Sequence, residues 1–88
     1  MTKKELRETV LKALYDNQNE LPTDDFAKFC KEKNINFKND AERYRILEYL
    51  NLHKYIKIVL YANENAMIKS ITAKGIDAVI NLIEEEKK

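Results

Sequence analysis

Few residues in this chain are of a type that does covalent or metal chemistry. There is one histidine, His53, and one cysteine, Cys30. One of each cannot complete a structural zinc site, which takes four such ligands. A lone cysteine also forms no intrachain disulfide, and its apolar spacing with Phe26 and Phe29 makes it a small core residue. Asp24 and Asp25 are adjacent carboxylates, but neighbouring side chains at a helix start diverge, and helix capping accounts for them. Lys74-Gly75 lacks the preceding glycine run that lets backbone amides cradle a phosphate. With no nucleophile–base pair, metal cluster or cofactor loop, the expectation is a non-enzymatic protein without metal, cofactor or small-molecule substrate.

The remaining chemistry is that of binding. Arg43 and Arg45 can contact phosphate or a guanine edge, or they can pair along a helix, for example Arg45 with Glu42 or Glu48. Tyr49 can stack on a base, anchor a partner or pack half-buried. Tyr15, Tyr44, Tyr55 and Tyr61 are read as core or sheet packing. Charge gives only a weak electrostatic signal: 16 Lys and Arg oppose 15 Asp and Glu, a net +1. The surplus lies in residues 38–57, where Lys38, Arg43, Arg45, Lys54 and Lys57 outnumber Asp40, Glu42 and Glu48. Because phosphate neutralisation supplies most non-specific affinity for nucleic acid, any DNA binding by this chain alone is expected to be weak.

The elements that must position these groups follow from periodicity. Eighty-eight residues with 44% apolar content make a single domain over 1–88. Leu6, Val10, Ala13 and Leu14 mark one face of a helix over 3–17. Leu21-Pro22 reads as an extended link. Thr23 is assigned as the N-cap of a second helix that carries Phe26, Phe29 and Cys30 and ends near Lys33. Ile35 and Phe37 anchor a turn, and Asn39 or Asp40 caps a third helix over about 40–53. On its wheel Tyr44, Ile46, Leu47 and Leu50 share an apolar arc with Arg43 at the edge. Ala41, Glu42, Arg45, Glu48, Tyr49 and Leu52 face the other way. His53 is read as helping to end that helix.

Tyr55 to Tyr61 alternates, with Ile56, Ile58 and Leu60 on one face. Ala66 to Thr72 is a second strand, and Asn63-Glu64-Asn65 provides turn residues between them. Thr72 caps a closing helix with Ile76, Val79, Ile80 and Ile83 in a stripe and Leu82 on its flank. Residues 84–88 are expected to fray. Leu47, Leu50, Ile56, Ile71 and Ile80 are expected to be buried together. Met1 runs directly into Thr2-Lys3-Lys4-Glu5 without an apolar leader or long apolar span, so the expected location is cytoplasmic.

Two motifs resemble the winged helix-turn-helix superfamily. Leu47-x-x-Leu50-x-x-x-Lys54-Tyr55-Ile56 resembles a recognition helix leading into the wing, a pattern written L-x-x-L-x-x-x-G-[LY]-I, with Lys54 in the place of glycine. Ile71-Thr72-Ala73-Lys74-Gly75 resembles the L-T-x-x-G start of the closing helix. The fold implied is α+β, mainly helical, a winged helix in the order α-α-α-β-β-α. The resemblance further implies that helix 40–53 enters a DNA major groove while the hairpin touches backbone or minor groove. It assigns Lys38, Asn39, Arg43, Arg45, Tyr49, Asn63 and Asn65 as candidate nucleic-acid contacts.

Tyr49, Leu52 and Leu82 are in addition candidate protein contacts, since a groove-reading surface does not require them. The expected function is a small DNA-binding regulator or accessory factor of DNA metabolism. The alternative is a protein-docking adaptor subunit of a replication or transcription enzyme, with weak or shared nucleic-acid contact. DNA and a protein partner, or a second copy of the chain, are the expected partners, with no membrane.

Overall fold

A computed structural model describes residues 1–60 and 66–87. It is an α+β structure, mainly helical, with α1 (Lys3–Asp16), a short 3-10 turn (Gln18–Glu20), α2 (Phe26–Glu32), α3 (Asp40–Leu52), strands β1 (Ile56–Leu60) and β2 (Ala66–Ile71), and α4 (Ala73–Glu86).

Each α-helix starts on a side chain that accepts from an otherwise unpaired amide of its first turn. Thr2 caps α1 by accepting from the Glu5 amide, and the Glu5 carboxylate accepts in return from the Thr2 amide, each at 3.1 Å. The backbone hydrogen bond from Thr2, followed by the side-chain one, holds the Glu5 carboxyl below the ordinary carboxylate range. Asn39 caps α3 by accepting from Glu42 at 2.8 Å, and Thr72 caps α4 by accepting from Gly75 at 3.0 Å.

The cap of α2 differs from the sequence expectation. Asp25 accepts from the Lys28 amide, so Asp25 and not Thr23 is the N-cap. The backbone of Thr23 is instead paired in the sheet: its amide donates to the Ile68 carbonyl at 3.0 Å, and its carbonyl accepts from the Ile68 amide at 2.8 Å. Ile68 therefore lies between Thr23 on one side and Ile58 of the antiparallel partner strand on the other. The alternation expected along β1 is interrupted by a register shift between Lys57 and Ile58. Ile56 opposes Ile71 and is buried, whereas beyond the shift Ile58 opposes Ile68 and is half-buried.

Leu6, Val10, Leu11 and Leu14 of α1 meet Ile46, Leu47 and Leu50 of α3 in one core, joined by Phe26, Phe29 and Cys30 of α2 and by Ile56, Ile68 and Ile71 of the hairpin. Four of the five residues expected to be buried together, Leu47, Leu50, Ile56 and Ile71, are in this core; Ile80 is not and is 38% exposed. On α4 the inward positions are Gly75 and Val79, four residues apart, with Ile76 and Ile83 beside them. Ile80 is one residue on from Val79, about 100° round the helix, and so turns outward. The acidic end of α4 remains helical to Glu86, whose carboxylate meets Lys12 of α1 at 3.1 Å.

Cys30 is wholly enclosed. Burial pushes its thiol up to about 12, while the nearby positive charge of Arg43 acts in the opposite direction. Its sulfur is thus held as the unreactive thiol.

Two helices end in the same way. Asn34 after α2 and Lys54 after α3 both take φ 60°. The following amides reach back to close the turn: Ile35 to the Cys30 carbonyl at 2.9 Å, and Tyr55 to the Leu50 carbonyl at 3.0 Å. This termination requires a left-handed residue and favours glycine, with asparagine tolerated. Lys54 fulfils it with a full side chain. The chain's one glycine is used elsewhere, at Gly75. A Cβ there would overlap the Tyr55 carbonyl oxygen and come within 2.8 Å of Ile71 Cγ1.

Three outcomes test these assignments. Gly75→Ala should destabilise the fold by about 1–3 kcal/mol in urea unfolding, because the obstructing atom is backbone. Lys54→Gly should stabilise it by about 0.5–1 kcal/mol: the left-handed strain is removed, less the larger conformational freedom of glycine in the unfolded chain. An unchanged midpoint for either variant would contradict the geometry of that junction. Cys30 should react with a thiol reagent at least about a hundredfold more slowly in the native protein than in denaturant; equal rates would place it at the surface.

Candidate nucleic-acid interface

Packing of α1 across α3 creates a cleft along the outer side of α3. The buried residues Leu6 and Val10 hold α1 in the core, and the spacing of Lys3 and Arg7 places both on one flank of it. On the opposite wall are Lys38, Asn39, Ala41, Glu42 and Arg45, with Ile46 and Tyr49 at the base. The cleft has a volume of about 420 Å³. Four cationic side chains, Lys3, Arg7, Lys38 and Arg45, thus line one concave surface.

The state of these groups differs from simple helix pairing. Among the described residues, no carboxylate lies within ion-pair distance of Lys3, Lys38 or Arg45. Arg45 does not pair with Glu42 or Glu48. Glu42, the carboxylate that lines the cleft, accepts instead from the Lys38 backbone amide at 2.9 Å, leaving the Lys38 ammonium to solvent. The Asn39 side-chain oxygen is used by the α3 cap. Arg7 lies over Tyr49, with its guanidinium carbon 3.9 Å from the ring centroid, a cation–π arrangement that orients the arginine at the cleft mouth.

Tyr49, read from sequence as part of the outward face, is half-buried against the core. It begins a row of rings. His53 is 4.2 Å from Tyr49, Tyr55 is 5.7 Å from His53, and Lys74 of α4 lies 5.4 Å from the Tyr55 centroid. The row ties α1, α3, the start of the hairpin and α4 together beside the cleft.

The other sequence candidates lie elsewhere. Arg43 turns away from the cleft: its side chain is 12% exposed, and its guanidinium meets Asp40 at 2.7 Å. It borders a different surface, with Cys30, Ile35 and Phe37, and is a structural cation. The physical reason is its position about 160° round α3 from Arg45. Asn63 and Asn65, assigned to the wing, fall outside the described residues, as do Glu64 and Tyr61. Leu52 is 74% exposed near the C-terminal end of α3. Leu82 is half-buried and borders an adjoining groove of about 350 Å³ that shares Arg7 and Tyr49 with the cleft and is lined also by Leu11, Tyr55 and Ala78, with Lys4, Glu8 and Asn81 at its edge.

Lys3 and Arg7 were not singled out by the sequence reading. Residues 1–20 carry four basic and four acidic groups, Lys3, Lys4, Arg7 and Lys12 against Glu5, Glu8, Asp16 and Glu20, so their net charge is zero. The structure separates these charges. Lys3 and Arg7 face α3, whereas Glu5, Glu8 and Asp16 line a groove towards the end of α4, together with Glu86 and Lys12. The only cue in the sequence is the i,i+4 spacing of Lys3 and Arg7, which does not say which neighbour that side of α1 meets.

Among the described residues, no group of three or more His, Cys, Asp or Glu side chains is arranged to hold a metal ion, and no helix is long and apolar enough to cross a membrane. No protein-family model, curated protein or solved structure matches this chain.

Proposed function

We propose that this chain is a winged-helix binding module that engages duplex DNA, as a small regulator or accessory factor of DNA metabolism. The observation that carries the reading is the cleft of Lys3, Arg7, Lys38 and Arg45 beside the outward side of α3. Cations without carboxylate partners on a concave surface are what a phosphate backbone engages, by releasing its condensed counterions. Two features of the fold support the winged-helix assignment: the order of its helices and hairpin, and the left-handed Lys54 where α3 turns into β1, at the position the resembled motif gives to glycine. The charge separation across α1 adds a further reason. It turns an acidic side away from the cleft, so the net +1 of the whole chain understates the potential at the binding surface.

A protein-docking adaptor is the second reading. It is favoured by the groove between α1 and α4, where Leu82, Leu11 and Tyr55 are edged by charged groups. An interface of this kind has an apolar centre and a polar rim.

Fluorescence anisotropy with a labelled duplex separates the two. Binding should be micromolar at physiological salt and should tighten as salt falls, with a linear log–log dependence. Lys3→Gln should weaken binding to all sequences alike and reduce the magnitude of the salt slope by about one. Arg45→Ala should cost about 1–3 kcal/mol and relax sequence preference. Salt-independent binding, or none at low salt, would reject the DNA reading and leave the adaptor.

A further inference from the structure

Arg7 lines two concave surfaces at once. It shares the cation-lined cleft with Lys3, Lys38 and Arg45, and it borders the adjoining groove between α1 and α4. It is half-buried. Among the described residues no carboxylate lies within ion-pair distance of it, and none of its N–H groups donates to a protein acceptor. Its guanidinium carbon rests 3.9 Å from the Tyr49 ring centroid. A ring face holds a cation in place but leaves the N–H edge free, and that edge is the part that matches a carboxylate in two parallel hydrogen bonds. A cation already stripped of part of its water has less to lose when it takes up an anion.

The groove beside it is apolar. Leu11 and Leu50, 3% and 1% exposed, form its floor, and Tyr55, Ala78 and Leu82 its walls. The floor is nearly closed to water, so the groove is narrow at its base and suits a linear chain more than a ring system. Of the charged groups that line it, Lys4 and Arg7 are cations and Glu8 is the one carboxylate, which leaves an excess of positive charge. Its volume of about 350 Å³ is at the small end of ligand sites. A stable protein interface instead takes roughly 800 Å² from each partner, and here the apolar floor gives way to the exposed polar Lys4 and Asn81. An apolar slot with a guanidinium at its rim is complementary to an amphipathic anion. We propose that the groove binds a medium-chain carboxylate, its head group paired with Arg7 and its chain lying between Tyr55 and Leu82, and that the bound anion withdraws Arg7 from DNA phosphate. The site itself stands whether or not the chain binds DNA; the exclusion rests on the DNA-binding reading above. Because the two anions share one guanidinium, each should weaken the other by the same factor.

The probe is hexanoate, with hexan-1-ol as a neutral chain of the same length and acetate as the head group alone. Methyl NMR should show hexanoate binding at the Leu11, Ala78 and Leu82 signals, with a dissociation constant of about 1–10 mM, as expected for so small a ligand. Hexan-1-ol should bind at least about fivefold more weakly. Arg7→Gln should weaken hexanoate about tenfold and leave hexan-1-ol unchanged. Leu82→Ser, which leaves Arg7 in place, should weaken both and separates loss of the slot from loss of the charge. In saturating hexanoate, duplex binding should fall about three- to tenfold relative to the same concentration of acetate, and the magnitude of the salt slope should fall by about one. Arg7→Gln should show no such response. Shifts scattered away from the groove, equal affinity for hexanoate and hexan-1-ol, or undiminished hexanoate affinity in Arg7→Gln would overturn the site. Hexanoate bound in the groove with duplex binding unchanged would overturn the exclusion. Absence of salt-dependent DNA binding would overturn the DNA reading and the exclusion with it, while the hexanoate titration still decided the site. Sedimentation equilibrium tests the other occupant: a self-associated species lost in Leu82→Ser would fill the groove with a second copy of the chain and reject the proposal.

Discussion

Thr72 holds the end of the hairpin, the start of α4 and the end of α3 together. Its amide donates to the Tyr55 carbonyl at 2.9 Å, its hydroxyl donates to the Lys54 carbonyl at 2.6 Å, and the same oxygen accepts from the Gly75 amide at 3.0 Å. Three backbone groups that would otherwise lack partners at a crowded crossing are satisfied by one small residue. The crossing is close enough that the carbonyl of Tyr55 occupies the space where a side chain at position 75 would begin. With α4 fixed here, Val79 enters the core and Lys74 reaches the Tyr55 ring. With the end of α3 fixed here, the outward stripe from Ala41 to Leu52 acquires a defined direction relative to the hairpin.

The same economy of local interactions explains how so small a chain spares cations for binding. Several cations are held in ion pairs away from the cleft: Lys12 with Glu86, Lys28 with Glu32, Lys33 with Glu20 and Arg43 with Asp40. The carboxylate that lines the cleft has a local duty, since Glu42 accepts from the Lys38 amide, and Glu5, on the side of α1 turned away, closes the α1 cap. Surface ion pairs of this kind add little stability. Their consequence is electrostatic: Lys3, Lys38 and Arg45 are left without carboxylate partners among the described residues, and a nearly neutral chain carries one locally basic surface. Arg7 is oriented by the Tyr49 ring rather than by a carboxylate, which keeps its charge uncompensated.

Arg43 and Arg45 show what a helical wheel can and cannot resolve. Both lie in the same basic segment and seem equivalent by composition. Two residues of separation put them on opposite sides of α3, one largely buried and paired with the exposed Asp40, the other at the cleft. The wheel already placed Arg43 at the edge of the apolar arc, so its inward position was legible. Tyr49 is left open by the wheel, half-buried packing being one of its readings: it belongs to the polar arc by angle, and the structure shows α1 crossing above it and covering the ring with Arg7. Thr23 failed for a related reason. A threonine before two aspartates is a good local cap, yet Ile68, forty-five residues later in the chain, takes its backbone hydrogen bonds, and Asp25 is left to cap α2.

Periodicity and end signals alone determined the α+β, mainly helical order, the cap at Thr72, the placing of the α3 cap at Asn39 or Asp40, the core positions Leu47, Leu50, Ile56 and Ile71, and the burial of Cys30. These depend on interactions within a few residues of the chain, or on one amphipathic face needing to leave water. Tertiary packing decided which side of α1 faces α3, which of the closing-helix isoleucines turns outward, the pairing of Thr23 with Ile68, and the gathering of Lys3 and Arg7 with Lys38 and Arg45. Those outcomes depend on the rotation of one element against another. That rotation is set by the shapes of contacting side chains and by close backbone approaches such as Gly75 to Tyr55, which no single segment encodes.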